Sequence, residues 1–121
     1  TRDPSSAASD VYKRQVSMSV TNFAIYTVAV GRIAEAEAWM AEMGSLFNEI
    51  TGKKVKILKE GWGDAYKMIF ITEYENIGET EVVGEKVFSD KRVADGLEKG
   101  MKETQLFTNV ENKFYTTIME S

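Results

Sequence analysis

The chain has 121 residues, 43% of them hydrophobic and 28% charged, with a formal net charge of −4. That is the length of one domain with enough apolar material for a core, and its mixed-sign, acidic surface lacks the basic face a nucleic-acid partner needs. With no histidine and no cysteine, disulfides, thiolate catalysis, thiolate zinc sites and imidazole acid–base chemistry are excluded.

Proton transfer is left to Asp, Glu, Lys and Tyr, each needing a shifted pKa or a charged partner. No metal and no cofactor is expected. The longest apolar run, around Met68 to Ile71, is far too short to span a bilayer, and no segment has the layout of a signal peptide. No membrane partner is expected, and the location is expected to be cytoplasmic.

Thr1 to Gln15 is polar, carries Ser5-Ser6-Ala7-Ala8-Ser9 at its centre and has no apolar period, so it is expected to be disordered or marginally helical. The run from Pro4 to Gln15 resembles the translated read-through of a sequencing adapter, of the kind attached to gene calls from environmental DNA. On that reading the natural start is Met18, residues 1–17 are a non-native tail, and 18–121 form a single domain.

Val20 to Val30 is rich in β-branched and aromatic residues and apolar on both alternate faces, the pattern of a strand buried on both sides. Gly31 ends it. From Arg32 the period becomes helical, with Ile33, Ala36, Met40, Met43, Leu46 or Phe47, and Ile50 on one stripe. Gly52 stands where a C-terminal cap belongs. Lys54 to Glu60 alternates Val55 and Ile57 against lysine and glutamate, as a half-exposed edge strand does.

Gly61-Trp62-Gly63-Asp64 reads as a turn, and Ala65 to Glu75 as a central strand. Asn76 with Glu79 three residues on resembles a capping box opening a helix through Val83 and Val87 or Phe88. Ser89-Asp90 caps a second helical piece carrying Val93, Leu97 and Met101, and Asn109 to Met119 closes the sheet. The order βαββαβ predicts an α+β, ferredoxin-like antiparallel sheet with its helices on one face. The other face of the two central strands is too apolar to meet water. A homodimer packed sheet to sheet is therefore expected.

Residues 20–119 resemble the dimeric α/β-barrel superfamily, which includes antibiotic-biosynthesis monooxygenases, haem-degrading monooxygenases, muconolactone-isomerase-like proteins and polyketide cyclases. Ile71-Thr72-Glu73-Tyr74-Glu75 looks like the end of that fold's third strand, and Val87-Phe88-Ser89-Asp90 like the break between its later helices. The resemblance implies a small-molecule pocket between sheet and helices. It also marks departures: the haem-ligating histidine of one branch is replaced here by the stretch Glu81-Val82-Val83-Gly84-Glu85, and the histidine base of the cyclases has no counterpart. Asn22 resembles the strand-one asparagine of the monooxygenases. Trp62, in the turn, has no match to their tryptophan.

Four residues are candidates for catalysis. Asn22 can orient a substrate carbonyl or enolate, against a plain local hydrogen-bonding role. Tyr26 and Tyr74 can donate to an oxyanion, against packing with the hydroxyl at the rim. Glu73 is either a base with a raised pKa or the ion-pair partner of Lys67 on the same strand face, the latter being favoured. Trp39, Met40 and Met43 read as core or lid packing, and Gly96 and Gly100, four apart on one helix face, as close-packing positions.

Two functions follow. The first is a homodimer that binds a small apolar or aromatic, polyketide-like molecule, acting as a cofactor-independent monooxygenase-like or isomerase-like enzyme. The second is a non-catalytic ligand-binding or assembly module on the same fold. An enclosed cavity lined by Asn22, Tyr26 or Glu73 favours the first. A helix–sheet interface filled solid by Trp39, Met43 and Phe70 favours the second.

Overall fold

A computed structural model describes residues 18–61 and 66–120. The expected tail at 1–17 and the turn around Trp62 lie outside the described residues. Four strands, β1 (Val20–Val28), β2 (Val55–Lys59), β3 (Lys67–Tyr74) and β4 (Phe107–Thr116), form one antiparallel sheet in the order β2-β3-β1-β4. Helix α1 (Ile33–Thr51) links β1 to β2; α2 (Ile77–Phe88), α3 (Lys91–Leu97) and a π-helical segment (Glu98–Glu103) link β3 to β4. Each connection skips over one neighbouring strand, so two split βαβ units interleave. The α+β, ferredoxin-like reading holds.

Strand β1 stops two residues short of Val30. The chain turns there through Gly31 at φ 80°, with Ala29 N–H donating to the Leu106 carbonyl, and Val30 is fully exposed. Gly52 takes the left-handed conformation at φ 73° and its N–H bonds the Asn48 carbonyl at 2.7 Å, ending α1 as its position predicts. Helix α1 buries Ala36, Trp39, Met40 and Gly44, a stripe shifted toward Trp39 from the one read in the sequence.

Asn76 Oδ1 accepts from Glu79 N–H at 3.0 Å, while the Glu79 carboxylate accepts from Glu75 N–H at 2.9 Å. The reciprocal bond of the capping box thus falls one residue before the cap. Asp90 accepts from Arg92 N–H and caps α3.

The helices cover the face carrying Val20, Asn22, Ala24, Tyr26 and Val28 of β1 and Met68, Phe70, Thr72 and Tyr74 of β3. One end of this layer is solid: Val28, Ala36, Trp39, Met40, Met68 and Leu106 form the core. Here α1 and the segment after α3 approach closely. The Trp39 indole N–H donates to the Gly96 carbonyl at 2.8 Å, and a Cβ on Gly100 would stand only 2.5 Å from Trp39 Cε2. Gly96 similarly faces the Met43 sulfur. The two glycines are close-packing positions, as expected.

The opposite face of the sheet carries Phe23, Ile25, Ile69 and Ile71, all half-buried, with Leu58 at 40% exposure beside them and Phe23 edge-on to Tyr115 at 5.3 Å. Both faces of the central strands are therefore apolar. Among the described residues no helix is long and apolar enough to cross a membrane.

Candidate functional site

The other end of the helix–sheet layer is hollow. A cavity of about 260 Å³ lies between them. Its floor is the row Asn22, Ala24 and Tyr26 of β1, flanked by Phe70, Thr72 and Tyr74 of β3 and by Asn112 and Phe114 of β4. Its roof is Trp39, Met43 and Phe47 of α1, Thr80, Val83, Gly84, Val87 and Phe88 of α2, and Val93 and Leu97 of α3.

The space has an identifiable cause. Ala24 stands in the middle of a floor otherwise built of larger side chains, and Gly84 presents no side chain from above, with nothing within 4 Å of where its Cβ would be. Phe88 and Phe114, 69% and 55% exposed, stand at the open side.

The lining is apolar and aromatic, with the polar groups of Asn22, Thr72, Tyr26, Tyr74, Thr80 and Asn112 and no charged side chain. Asn22 is 9% exposed; its Nδ2 donates to the Lys113 carbonyl at 3.1 Å and, more weakly, to Asn112 Oδ1 at 3.5 Å. The asparagine is thus pinned by β4 through its amide nitrogen, which leaves its oxygen for other partners. Tyr26 packs edge-on and tilted in an aromatic cluster, 5.8 Å from Trp39 and 5.0 Å from Phe107 between ring centroids. Burial pushes its phenol pKa up. Tyr74 is raised for the same reason, with the nearby Glu79 carboxylate adding to it, and the Lys53 ammonium sits 5.2 Å from its ring centroid. Both phenols are therefore neutral hydrogen-bond donors at neutral pH rather than bases.

Three of the four candidates, Asn22, Tyr26 and Tyr74, line this cavity. The two tyrosines do not converge: Tyr74 pairs with Val20, six positions from Tyr26, so their backbones are about 20 Å apart along the strands. Asn22 lies between them. Glu73 is not with them. It is exposed on the open sheet face, away from the cavity, and among the described residues no ion pair joins it to Lys67. At the Tyr74 end, Lys53 bonds Glu79 at 2.7 Å, and this lysine holds the Glu79 carboxyl below the usual range.

Thr72 was visible in the sequence only as one position on a strand face. Its register opposite Asn22 and its 1% exposure make it a polar group in an apolar floor. Asn112 and Phe114 were hidden because β4, at the sheet edge, mixes polar and apolar residues on both faces. Gly84 carried a readable signal, a glycine inside an amphipathic helix. Among the described residues no group of three carboxylates stands close enough to hold a metal ion.

No protein-family profile matches the chain, and no curated protein matches it by sequence. Solved structures do match. A NIPSNAP-like domain protein from Burkholderia xenovorans superposes with a TM-score of 0.73 at 11% identity, over 87% of this chain and 90% of that one. A NIPSNAP family protein of unknown function from Agrobacterium tumefaciens gives 0.70 at 16% identity, over 84% and 89%. SnoaB, a cofactor-independent oxygenase from Streptomyces nogalater, gives 0.63 at 17% identity, over 84% and 95%. At such identities the likeness is one of fold, and it agrees with the ferredoxin-like reading of the sequence.

Proposed function

We propose that this protein binds a small, largely apolar or aromatic molecule in the cavity between its sheet and helices. The observation that carries the reading is the hollow above Ala24: about 260 Å³, apolar walls, a few inward polar groups and no charge. An apolar cavity of about 150 Å³ already holds benzene, so this one has room for one or two rings. Sequestering such a ligand from water supplies the driving force, at roughly 25 cal/mol per Å² of apolar surface, and convergent polar groups orient it. The interface is not filled solid by Trp39, Met43 and Phe70; those side chains wall the cavity instead.

The enzymatic version has the protein position a substrate that supplies its own carbanion, with neutral donors polarising the substrate oxygen. Its support is the likeness in fold to a cofactor-independent oxygenase and the presence of two un-ionised tyrosines, Tyr26 and Tyr74, on the cavity wall; Asn22, its amide nitrogen held by β4, is left to accept rather than donate. The dimer belongs to the same proposal. Phe23, Ile25, Ile69 and Ile71 make a second apolar face that a twofold copy of the sheet would cover.

Titration of the full chain with toluene, followed by ¹H–¹⁵N correlation spectra, tests the binding site. Saturable shifts at Ala24, Phe70, Val87 and Leu97 are expected. Absence of saturable shifts there overturns the reading.

A further inference from the structure

Two neighbouring polar atoms on the floor of the cavity have incomplete hydrogen bonding. Thr72 is 1% exposed, yet its hydroxyl has no hydrogen-bond partner among the described residues. Asn22, 9% exposed, spends its amide nitrogen on the Lys113 carbonyl and Asn112, and its Oδ1 accepts from no described residue. The two residues are direct cross-strand partners on β1 and β3, which sets their Cβ atoms about 5 Å apart on one face. Both line the cavity.

A buried donor or acceptor left unsatisfied costs about 1–3 kcal/mol, so two such groups side by side in one apolar hollow call for a shared partner. The partner's charge is set by the rest of the wall. No charged side chain lines the cavity, and Lys53 and Glu79, beside Tyr74, neutralise each other at 2.7 Å. An ionised ligand would bury its charge without a counter-charge, which is strongly unfavourable.

We infer that Thr72 and Asn22 form a donor–acceptor pair that reads the polar edge of an uncharged ligand. The Thr72 hydroxyl donates to a carbonyl-type oxygen, and Asn22 Oδ1 accepts from an adjacent N–H or O–H. The ligand class is a neutral one- or two-ring molecule bearing a carboxamide, lactam or hydroxy-carbonyl edge. This rests on the cavity being a small-molecule site and adds the specificity-determining residue and the ligand's charge state to it.

Three probes of similar size separate the terms: benzamide has the edge, benzoate carries a charge in its place, and toluene has neither. Each is titrated into the full chain and followed by ¹H–¹⁵N spectra. Benzamide is expected to bind at least about tenfold tighter than benzoate, the factor that one charge-burial or hydrogen-bond difference of this size produces. Thr72→Val, which keeps the shape and removes the hydroxyl, is expected to weaken benzamide by about five- to tenfold relative to toluene on the same protein. Thr72→Ser, which restores a hydroxyl, is expected to recover benzamide binding.

Benzoate binding as tightly as benzamide overturns the inference, as does a Thr72→Val protein that keeps full benzamide affinity relative to toluene. In either case toluene binding keeps the cavity reading intact. If neither toluene nor benzamide binds, the cavity reading fails with it. The benzamide-to-benzoate comparison needs no variant, so it decides even where Thr72→Val does not fold.

Discussion

Two helical glycines on this scaffold should respond to the same mutation with opposite signs. In Gly100→Ala the new methyl would run into the Trp39 ring, 2.5 Å from Cε2. Forcing a buried indole aside costs about 1–3 kcal/mol. It also endangers the Trp39 bond to the Gly96 carbonyl, a further contribution of about 1 kcal/mol. Better helix propensity offsets about 1 kcal/mol of this, so the net loss is about 1–3 kcal/mol. In Gly84→Ala the methyl meets nothing within 4 Å, and only the propensity gain of up to about 1 kcal/mol remains. Urea melts of the full-length variants measure both. The two midpoints should lie on either side of the parent, about 1–4 kcal/mol apart when converted with a common slope. Equal shifts of the two variants, or a destabilised Gly84→Ala, would refute the packing on which the cavity's roof and the Trp39 wall depend.

Four further outcomes are expected. Ala24→Leu should fill the hollow and abolish toluene binding while costing no more than the about 1–3 kcal/mol of an overpacked core, as paired titrations and melts would record. Ile69→Lys, on the open sheet face, should shift the protein from dimer to monomer in light scattering at micromolar concentration; a parent that is already monomeric under those conditions would disprove the sheet-to-sheet dimer. Asn76→Ala should cost about 1 kcal/mol by removing the cap of α2, read from its denaturation midpoint. Glu79 has a folded-state pKa lowered chiefly by the hydrogen bond from Lys53. Its stabilisation is present above the ordinary glutamate pKa and is lost as the pH falls through the depressed value. Glu79→Gln should therefore be less stable than the parent at pH 7 and match it at the acid end, in melts taken across that range.

The fold was largely legible because its signals are local and redundant. Gly52 ends α1, Asn76 and Asp90 open α2 and α3, and the two-sided apolar runs of β1 and β3 mark the sheet's centre. Strand order then follows from the connection lengths. The sequence pattern carries the first strand two residues too far, since Val30 looks like a strand residue and only the turn at Gly31 takes it out. The site was less legible for a different reason. Strand alternation placed Asn22 and Tyr26 together and set Tyr74 opposite Glu73, but which face met the helices could not be read from β3, apolar on both sides. The helix contacts decide it, setting Glu73 outside and Thr72 inside. The cavity itself is made by what is missing, a side chain at Gly84 and bulk at Ala24, and periodicity records only what is present.

A crystal structure of the full chain soaked with toluene would show whether the hollow takes an apolar ring. The ring is expected above Ala24, between Phe70 of the floor and Val87 of the roof. A hollow closed by Phe88 and Phe114, with no ring inside it, would contradict a binding site here.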